Sequence, residues 1–314
     1  MPWKVLVTSR SFGKVSDEPV NILRESGVQV DFLTEPKEEE VLDVIADYDA
    51  IVVGNDKITR RIMEKARNLK IICKHGVGVD NIDLESAKEF GIRVTNVPST
   101  NSDAVADLAF GLIIDLARKI SVTVQRVKNG NWEPLIGVDV HHKTLGIIGF
   151  GAIGRRVAKR ARGFDMNVLA YDPYIDELPD EFSFVSLVSL EDLLRSADFL
   201  TIHVPLTDQT RGLIGDREIA MMKKGSFIIN TAREGIVDET ALYRYLKDGY
   251  LGGAGLDVID RNSPVKDLLI SLDNVIVLPH IGMYSREAIN SVSMVCARNI
   301  IKLLNGETPD NIIV

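Results

Sequence analysis

Apolar positions in this chain keep two rhythms in turn. Short continuous or alternating runs give way to longer stretches in which apolar residues recur three or four positions apart. The first rhythm is that of a buried strand, the second that of a helix with one buried face. Over the first hundred residues, segments 4–8, 28–33, 50–54, 70–74 and 92–97 read as strands, with helices between them at 19–27, 38–47, 59–67 and 84–90. Pro19 opens the first helix behind Asp17 and Glu18, and Gly91 closes the last. Five strands alternating with four helices predict an α/β fold built on an open, doubly wound parallel sheet.

The turn-rich segment 98–102 interrupts this alternation and marks a domain boundary. A long helix is expected at 103–120, with Val105, Leu108, Leu112, Ile113, Leu116 and Ile120 on one face, Asp103 in its first turn, and Arg118 and Lys119 in its last. Segment 129–134 reads as loop. From residue 143 the alternation resumes, with strands at 167–171, 199–203, 226–230, 255–259 and 275–278 and helices near 190–196, 216–223 and 239–247. A last long helix, 285–304, is closed by Gly306. The length of 314 residues suits two domains.

Segment 143–155 organises the second alternation. Leu145, Ile147 and Ile148 form a short buried run, Gly149, Gly151 and Gly154 follow in the G-x-G-x-x-G spacing, and Ile153, Val157, Ala158, Ala161 and Phe164 then keep helical spacing. In such a strand–turn–helix unit the first glycine permits the tight turn. The second lets the backbone approach a pyrophosphate, and the third lets the helix lie close on the strand. The next strand ends at Asp172, about twenty residues past the glycines, where a dinucleotide fold places the acid that binds the ribose 2′-hydroxyl. The unit predicts a dinucleotide site, and an acid at that position favours NAD over NADP.

Composition narrows the function classes. Hydrophobic residues make up 45% and charged residues 26%, and the formal net charge is −8 with no basic stripe, so nucleic acid is not an expected partner. No apolar run approaches the roughly 18 residues of a membrane helix, and the N-terminus enters a strand without a signal-peptide layout. Cys73 and Cys296 both sit in apolar segments and lack metal-ligand spacing to a histidine. They read as buried, reduced thiols of a cytoplasmic protein with no metal site.

In open parallel sheets, ligands bind beyond the C-terminal strand ends, so the residues there are the candidates for chemistry. Lys74-His75-Gly76-Val77-Gly78 follows the fourth strand, and its glycines would leave backbone N–H groups for an anion; the alternative is a plain βα turn. Arg233 follows the strand ending at Asn230 and suits a carboxylate, which its fork can hold by two oxygens; the alternative is a surface ion pair. His280, behind Pro279 after the last strand, is a candidate general base, against the alternative of a structural histidine. His75, His141, His142 and His203 lack this combination, although His203 also ends a strand.

The ordered set Gly149–Gly154, Asp172, the 230–239 segment NTAREGIVDE, the 255–258 segment GLDV and the 279–282 segment PHIG resembles the D-isomer-specific 2-hydroxyacid dehydrogenase family. Segment 74–83, KHGVGVDNID, together with the residues through Arg118, is most similar to its phosphoglycerate dehydrogenase branch. The resemblance spans nearly the whole chain. It implies a Rossmann NAD-binding domain, residues 101–284, inserted in a flavodoxin-like substrate domain made of residues 1–100 and 285–314. It also implies a homodimer with an arm near 121–142. Arg233 would orient the substrate carboxylate and polarise its keto group, and His280 would exchange the hydroxyl proton. Gly149, Gly151, Ala152, Ile153, Gly154, Asp172, Val204, Pro205, Thr231 and Ala232 would line NAD, with Asp257 at its nicotinamide end. Lys74, Val77 and Gly78 would bind the substrate, a small 2-hydroxy or 2-keto acid.

Two departures qualify this expectation. The family pattern Asp-Val-Phe-x-x-Glu-Pro supplies a Glu to the catalytic His, whereas this chain reads Asp257-Val-Ile-Asp-Arg-Asn262-Ser-Pro264, with Asn262 at the Glu position. A carboxylate there raises the histidine pKa; an amide orients the ring without that charge. Formate dehydrogenases of the same family also place an amide there. The phosphoglycerate branch carries an Arg after the third strand, where this chain has Gly54-Asn55-Asp56-Lys57, leaving Lys57 or Arg60 as substitutes. Three readings stay open: an NAD-dependent 2-hydroxyacid dehydrogenase, an NAD-binding regulator on the same scaffold, and a formate-type dehydrogenase.

Overall fold

In the computed structural model, which describes residues 2–314, every strand ladder among the described residues is parallel, and the ladders make two separate sheets. The chain divides accordingly into two units, residues 2–101 with Met283–Val314, and Ser102–Gly282.

The first unit begins with β1 (Lys4–Val7), α1 (Glu18–Glu25), β2 (Gln29–Phe32), α2 (Glu38–Val44), β3 (Ala50–Val53), α3 (Arg60–Lys65), β4 (Ile71–Lys74), α4 (Leu84–Glu89) and β5 (Arg93–Thr95). Its sheet order is β2-β1-β3-β4-β5, the flavodoxin-like order. Strands β3 and β4 are buried along their whole length, which explains why they read as continuous apolar runs.

The second unit holds α5 (Ser102–Arg118), α6 (Ile120–Lys128), β6 (Thr144–Ile148), α7 (Ala152–Arg162), β7 (Asn167–Tyr171), β8 (Val185–Leu187) and α8 (Leu190–Ser196). It continues through β9 (Phe199–Ile202), α9 (Asp216–Met221), β10 (Phe227–Asn230), α10 (Glu239–Lys247), β11 (Gly253–Leu256), α11 (Lys266–Ile270) and β12 (Val275–Val277). Its order, β12-β11-β10-β9-β6-β7-β8, is that of a Rossmann sheet with one added strand.

The chain then returns to the first unit as α12 (Arg286–Leu304), which buries Val292, Cys296, Ala297 and Ile300 against Val5, Val7 and Cys73. Both cysteines are buried free thiols, as expected, and burial pushes the Cys73 thiol up to about 12. A polar thread crosses the same core. His75 is 3% exposed, with Nδ1 3.2 Å from Ser11 Oγ and Nε2 2.8 Å from Ser293 Oγ on α12.

The structure corrects several sequence expectations. The helix expected over 103–120 ends at Arg118, because Lys119 takes a left-handed conformation at φ +55°. Asp115 then accepts the Ser121 N–H and hydroxyl, which starts α6 as a separate helix. Ile120, expected on the buried face, is 46% exposed. The strand expected over 255–259 starts two residues earlier and ends three residues earlier. Its Gly-Ala-Gly start has weak strand propensity, but a Cβ on Gly255 would stand 3.1 Å from Leu112 Cβ and one on Gly253 3.2 Å from Leu116 Cδ2, so α5 crosses this strand closely. The three-residue edge strand β8 and the five-residue α11 carry too few residues for a periodic signal, and neither was anticipated.

Candidate active site

In the second unit the glycine turn joins β6 to α7. Gly149 takes φ +88°, and a Cβ there would stand 2.6 Å from the His203 carbonyl oxygen at the end of β9. A Cβ on Gly154 would stand 2.1 Å from the Gly149 carbonyl oxygen, so α7 can begin here only with glycine. Gly151, the N-cap of α7, has open space where its Cβ would lie. The first helical N–H with an acceptor in the turn is that of Arg155, to Gly151 O. The N–H groups of Ala152, Ile153 and Gly154 precede it at the positive end of an eleven-residue helix. Such a helix N-terminus, with its free N–H groups and bare glycine backbone, has the geometry of a cradle suited to a pyrophosphate.

Asp172 closes the cradle. Its Oδ2 accepts the Phe150 N–H at 2.9 Å and its Oδ1 the Tyr174 N–H at 3.0 Å. The acid therefore fixes the glycine turn as well as presenting negative charge beside it. Val204 and Pro205 follow His203 at the end of β9. Burial lowers the His203 pKa to about 3, so this ring is neutral; its Nε2 pairs with Thr201 Oγ1 at 2.9 Å. His203 Nδ1 and Thr231 Oγ1 are both buried without a hydrogen-bond partner. Open space over Gly151 and two orphaned polar atoms at neighbouring strand ends fit a bound dinucleotide.

The ends of β10, β11 and β12 lie side by side, and backbone bonds tie their turns. The Asp257 N–H donates to Asn230 O, and the His280 N–H to Asp257 O, each at 2.9 Å. Asn230 folds the Arg233 turn. Its Oδ1 accepts the Ala232 N–H and its Nδ2 donates to Arg233 O. Arg233 Nη1 donates to Ala232 O at 2.8 Å. Sequence reasoning did not single out Asn230. The available signal was an Asn at a strand end, where its side chain mimics a turn. His280 itself sits at φ +58°, a conformation that L-residues avoid.

Asn262 does not partner His280. It is exposed in the turn after β11, its backbone N–H donates to Asp260 Oδ1, and its side chain bonds to no described residue. In the same turn, Asp260 Oδ1 accepts that N–H and the Asp260 N–H donates to Glu239 Oε1; Glu234, after β10, is exposed.

In the first unit, Gly76 (φ +151°) turns the chain after β4, and Val77 and Gly78 follow half-exposed or exposed. Val77 O accepts from Asn96 Nδ2, which leaves the N–H groups of Val77 and Gly78 unused among the described residues. Lys74 is 5% exposed and donates through Nζ to Gly54 O at 2.5 Å and Asn81 Oδ1 at 2.9 Å. It braces the loop after β3. Of the two cations expected to replace the missing Arg, Arg60 is held bidentately by Glu89 and also by Glu64, whereas Lys57 is exposed.

Residues 110–282 match the family model described as D-isomer specific 2-hydroxyacid dehydrogenase, NAD binding domain. The chain belongs to this family. As such, the second unit carries its NAD-binding domain. A D-3-phosphoglycerate dehydrogenase of Methanocaldococcus jannaschii is 43% identical over 314 residues, covering 99% of this chain and 59% of that protein. The chain thus spans about three fifths of that relative's length. A hydroxypyruvate reductase of Thermotoga maritima is 44% identical over 276 residues, covering 85% of this chain and 89% of that protein. Among solved structures, the TT0316 protein of Thermus thermophilus superposes with a TM-score of 0.91 at 35% identity, covering 99% of this chain and 100% of that one. No helix among the described residues is long and apolar enough to cross a membrane, and no described cluster of side chains could hold a metal ion.

Proposed function

We propose that this chain is an NAD-dependent D-2-hydroxyacid dehydrogenase that interconverts a small 2-keto acid and the corresponding 2-hydroxy acid. One observation carries the reading: an Arg and a His stand on turns at the same strand-end edge of an NAD-binding sheet, linked through the Asp257 turn between them, each turn closed by a buried polar side chain. Bound NADH supplies the hydride that C2 of the keto acid receives. Arg233 orients the substrate carboxylate and stabilises the oxyanion that develops at O2. His280 gives its proton to that oxygen, and takes it back in the oxidation direction. Within the first unit, the unused N–H groups of Val77 and Gly78 are suited to an anionic group of the substrate.

Ala152, Ile153, Gly149, Gly151 and Gly154 hold the pyrophosphate, Asp172 the ribose, and Val204, Pro205, Thr231 and Ala232 the remaining cofactor surface. The substrate is hydroxypyruvate-sized rather than phosphorylated. The loop after β3 has no guanidinium, and Arg60 is already committed to two carboxylates.

The Asn at position 262, where the family pattern has Glu, supports a second reading, an NAD-binding regulator with weak or no turnover. A panel of 2-keto acids with NADH, followed at the nicotinamide absorbance, separates the two, since turnover on any member removes the regulator.

Self-association belongs to the same proposal. Ile120, Val124, Trp132, Ile136 and Val138 are all exposed within one 19-residue stretch, an apolar surface suited to a second copy of the chain. Sedimentation of a monomer at micromolar concentration would contradict it.

A further inference from the structure

Asp257 is 1% exposed, and both of its carboxylate oxygens are engaged by the chain's own backbone. Oδ1 accepts the Ile281 N–H at 2.7 Å and Oδ2 the Gly282 N–H at 2.8 Å. Its backbone carbonyl accepts the His280 N–H at 2.9 Å. One residue immediately after β11 therefore takes three consecutive N–H groups from the turn after β12. His280, the first of the three, is in the left-handed region at φ +58°. A non-glycine residue stays there only when its surroundings over-determine it. The flanking sequence serves the same geometry. Pro279 fixes its own φ and biases Leu278 toward extended backbone. At Gly282 a Cβ would stand 3.1 Å from Asp257 Oδ2 and 3.3 Å from Val105 Cγ2, so a bare backbone lets the carboxylate approach.

We propose that Asp257 is the positioning residue of His280. Its carboxylate grips the backbone at 281 and 282 and so fixes the left-handed turn that presents the imidazole. The proposal rests on the dehydrogenase reading above. It gives the carboxylate to the chain itself, whereas the family resemblance gives it to the nicotinamide. A carboxylate is required because both oxygens accept. An amide would turn an NH₂ toward one of the two N–H donors, release that donor, and loosen the turn. A small displacement of the acid–base group costs rate at the chemical step while leaving cofactor and carboxylate binding in place.

The test is Asp257→Asn. The expected kcat at saturating NADH and keto acid falls about a hundredfold, the loss that a displacement of about 1 Å can produce. NADH affinity, by nicotinamide fluorescence titration, and the keto-acid KM stay within about twofold, as for a loss confined to the transition state. Amide exchange at Ile281 and Gly282 accelerates more than about tenfold as their acceptor is lost. An NADH Kd raised tenfold with kcat retained at saturation would make Asp257 a cofactor ligand and overturn the proposal. So would unchanged exchange at 281 and 282.

Gly282→Ala pushes on the same turn with the carboxylate intact and carries the test should Asp257→Asn fail to fold. The same split between kcat and KM is expected, and wild-type kcat with wild-type exchange would overturn the proposal. A wild-type protein that reduces no 2-keto acid would overturn the dehydrogenase reading itself. The exchange measurement needs no turnover and decides separately whether the carboxylate holds the turn.

Discussion

Lowering the pH from 7 to 5 should destabilise the first unit through His75. The hydrogen-bond thread fixes this ring's protonation. Ser293 Oγ donates to Ile289 O at 2.8 Å, so it can only accept from His75 Nε2–H, and Nδ1 is left to accept from the Ser11 hydroxyl. The neutral ring satisfies both serines; a protonated ring would present a second donor to Ser11. Burial first, and then the neighbouring Lys74 charge, lower the pKa from 6.5 to about 3.

The unfolded chain takes up a proton at His75 as pH falls through its ordinary value, while the folded chain refuses it until about pH 3. Stability from this site is therefore complete above the unfolded pKa and is lost progressively as pH falls toward the folded one. The full gap corresponds to about 5 kcal/mol at 1.36 kcal/mol per unit, and about 2 kcal/mol of it is lost by pH 5. Urea unfolding followed by tryptophan fluorescence reads this unit. Trp3 lies in it, half-buried under Lys70, whereas Trp132 is 79% exposed and changes little on unfolding. Wild-type protein should lose about 2 kcal/mol more between pH 7 and 5 than His75→Gln, which cannot titrate. Equal losses would refute the reasoning.

Gly154→Ala places a Cβ 2.1 Å from Gly149 O, so turn and helix must separate by about 0.9 Å to reach a 3.0 Å contact. NADH affinity, by fluorescence titration, should fall at least about tenfold, a small price for a displaced pyrophosphate turn. Asp172→Ala removes the acceptor of the Phe150 and Tyr174 N–H groups together with the charge that repels a 2′-phosphate. Its NADP-to-NAD ratio of KM values should drop, and an unchanged ratio would remove Asp172 from cofactor choice. Arg233→Ala should cost far more kcat/KM than Lys74→Ala, because Lys74 Nζ is already spent on Gly54 and Asn81. Equal losses would reverse these roles.

Where one local rule dominated, the chain was legible from its pattern. The buried runs at β3, β4 and β10, the glycine turn at β6 and the acid closing β7 all carry their signal within a few residues. Other features depend on partners distant in sequence. Gly253 and Gly255 become strand residues because α5 lies against them, and Lys119 breaks a helix that its own propensity would continue. The candidate site divides in the same way. That Arg233 and His280 follow strand ends could be read from the pattern. The gripping of 281–282 by Asp257 and the Asn230 turn belong to contacts between neighbouring strand ends, which no spacing along the chain encodes. Asn262, assigned from aligned position alone, stands in an exposed turn.

The central claim is that the NAD site and the Arg233 and His280 turns together reduce a small 2-keto acid. Steady-state oxidation of NADH by the purified chain, over a panel of hydroxypyruvate, glyoxylate, pyruvate and longer 2-keto acids, tests it most directly. The account predicts saturable turnover on at least one small member, abolished in His280→Ala while NADH still binds. NADH binding without turnover on any member would contradict it and leave the regulator as the reading of this fold.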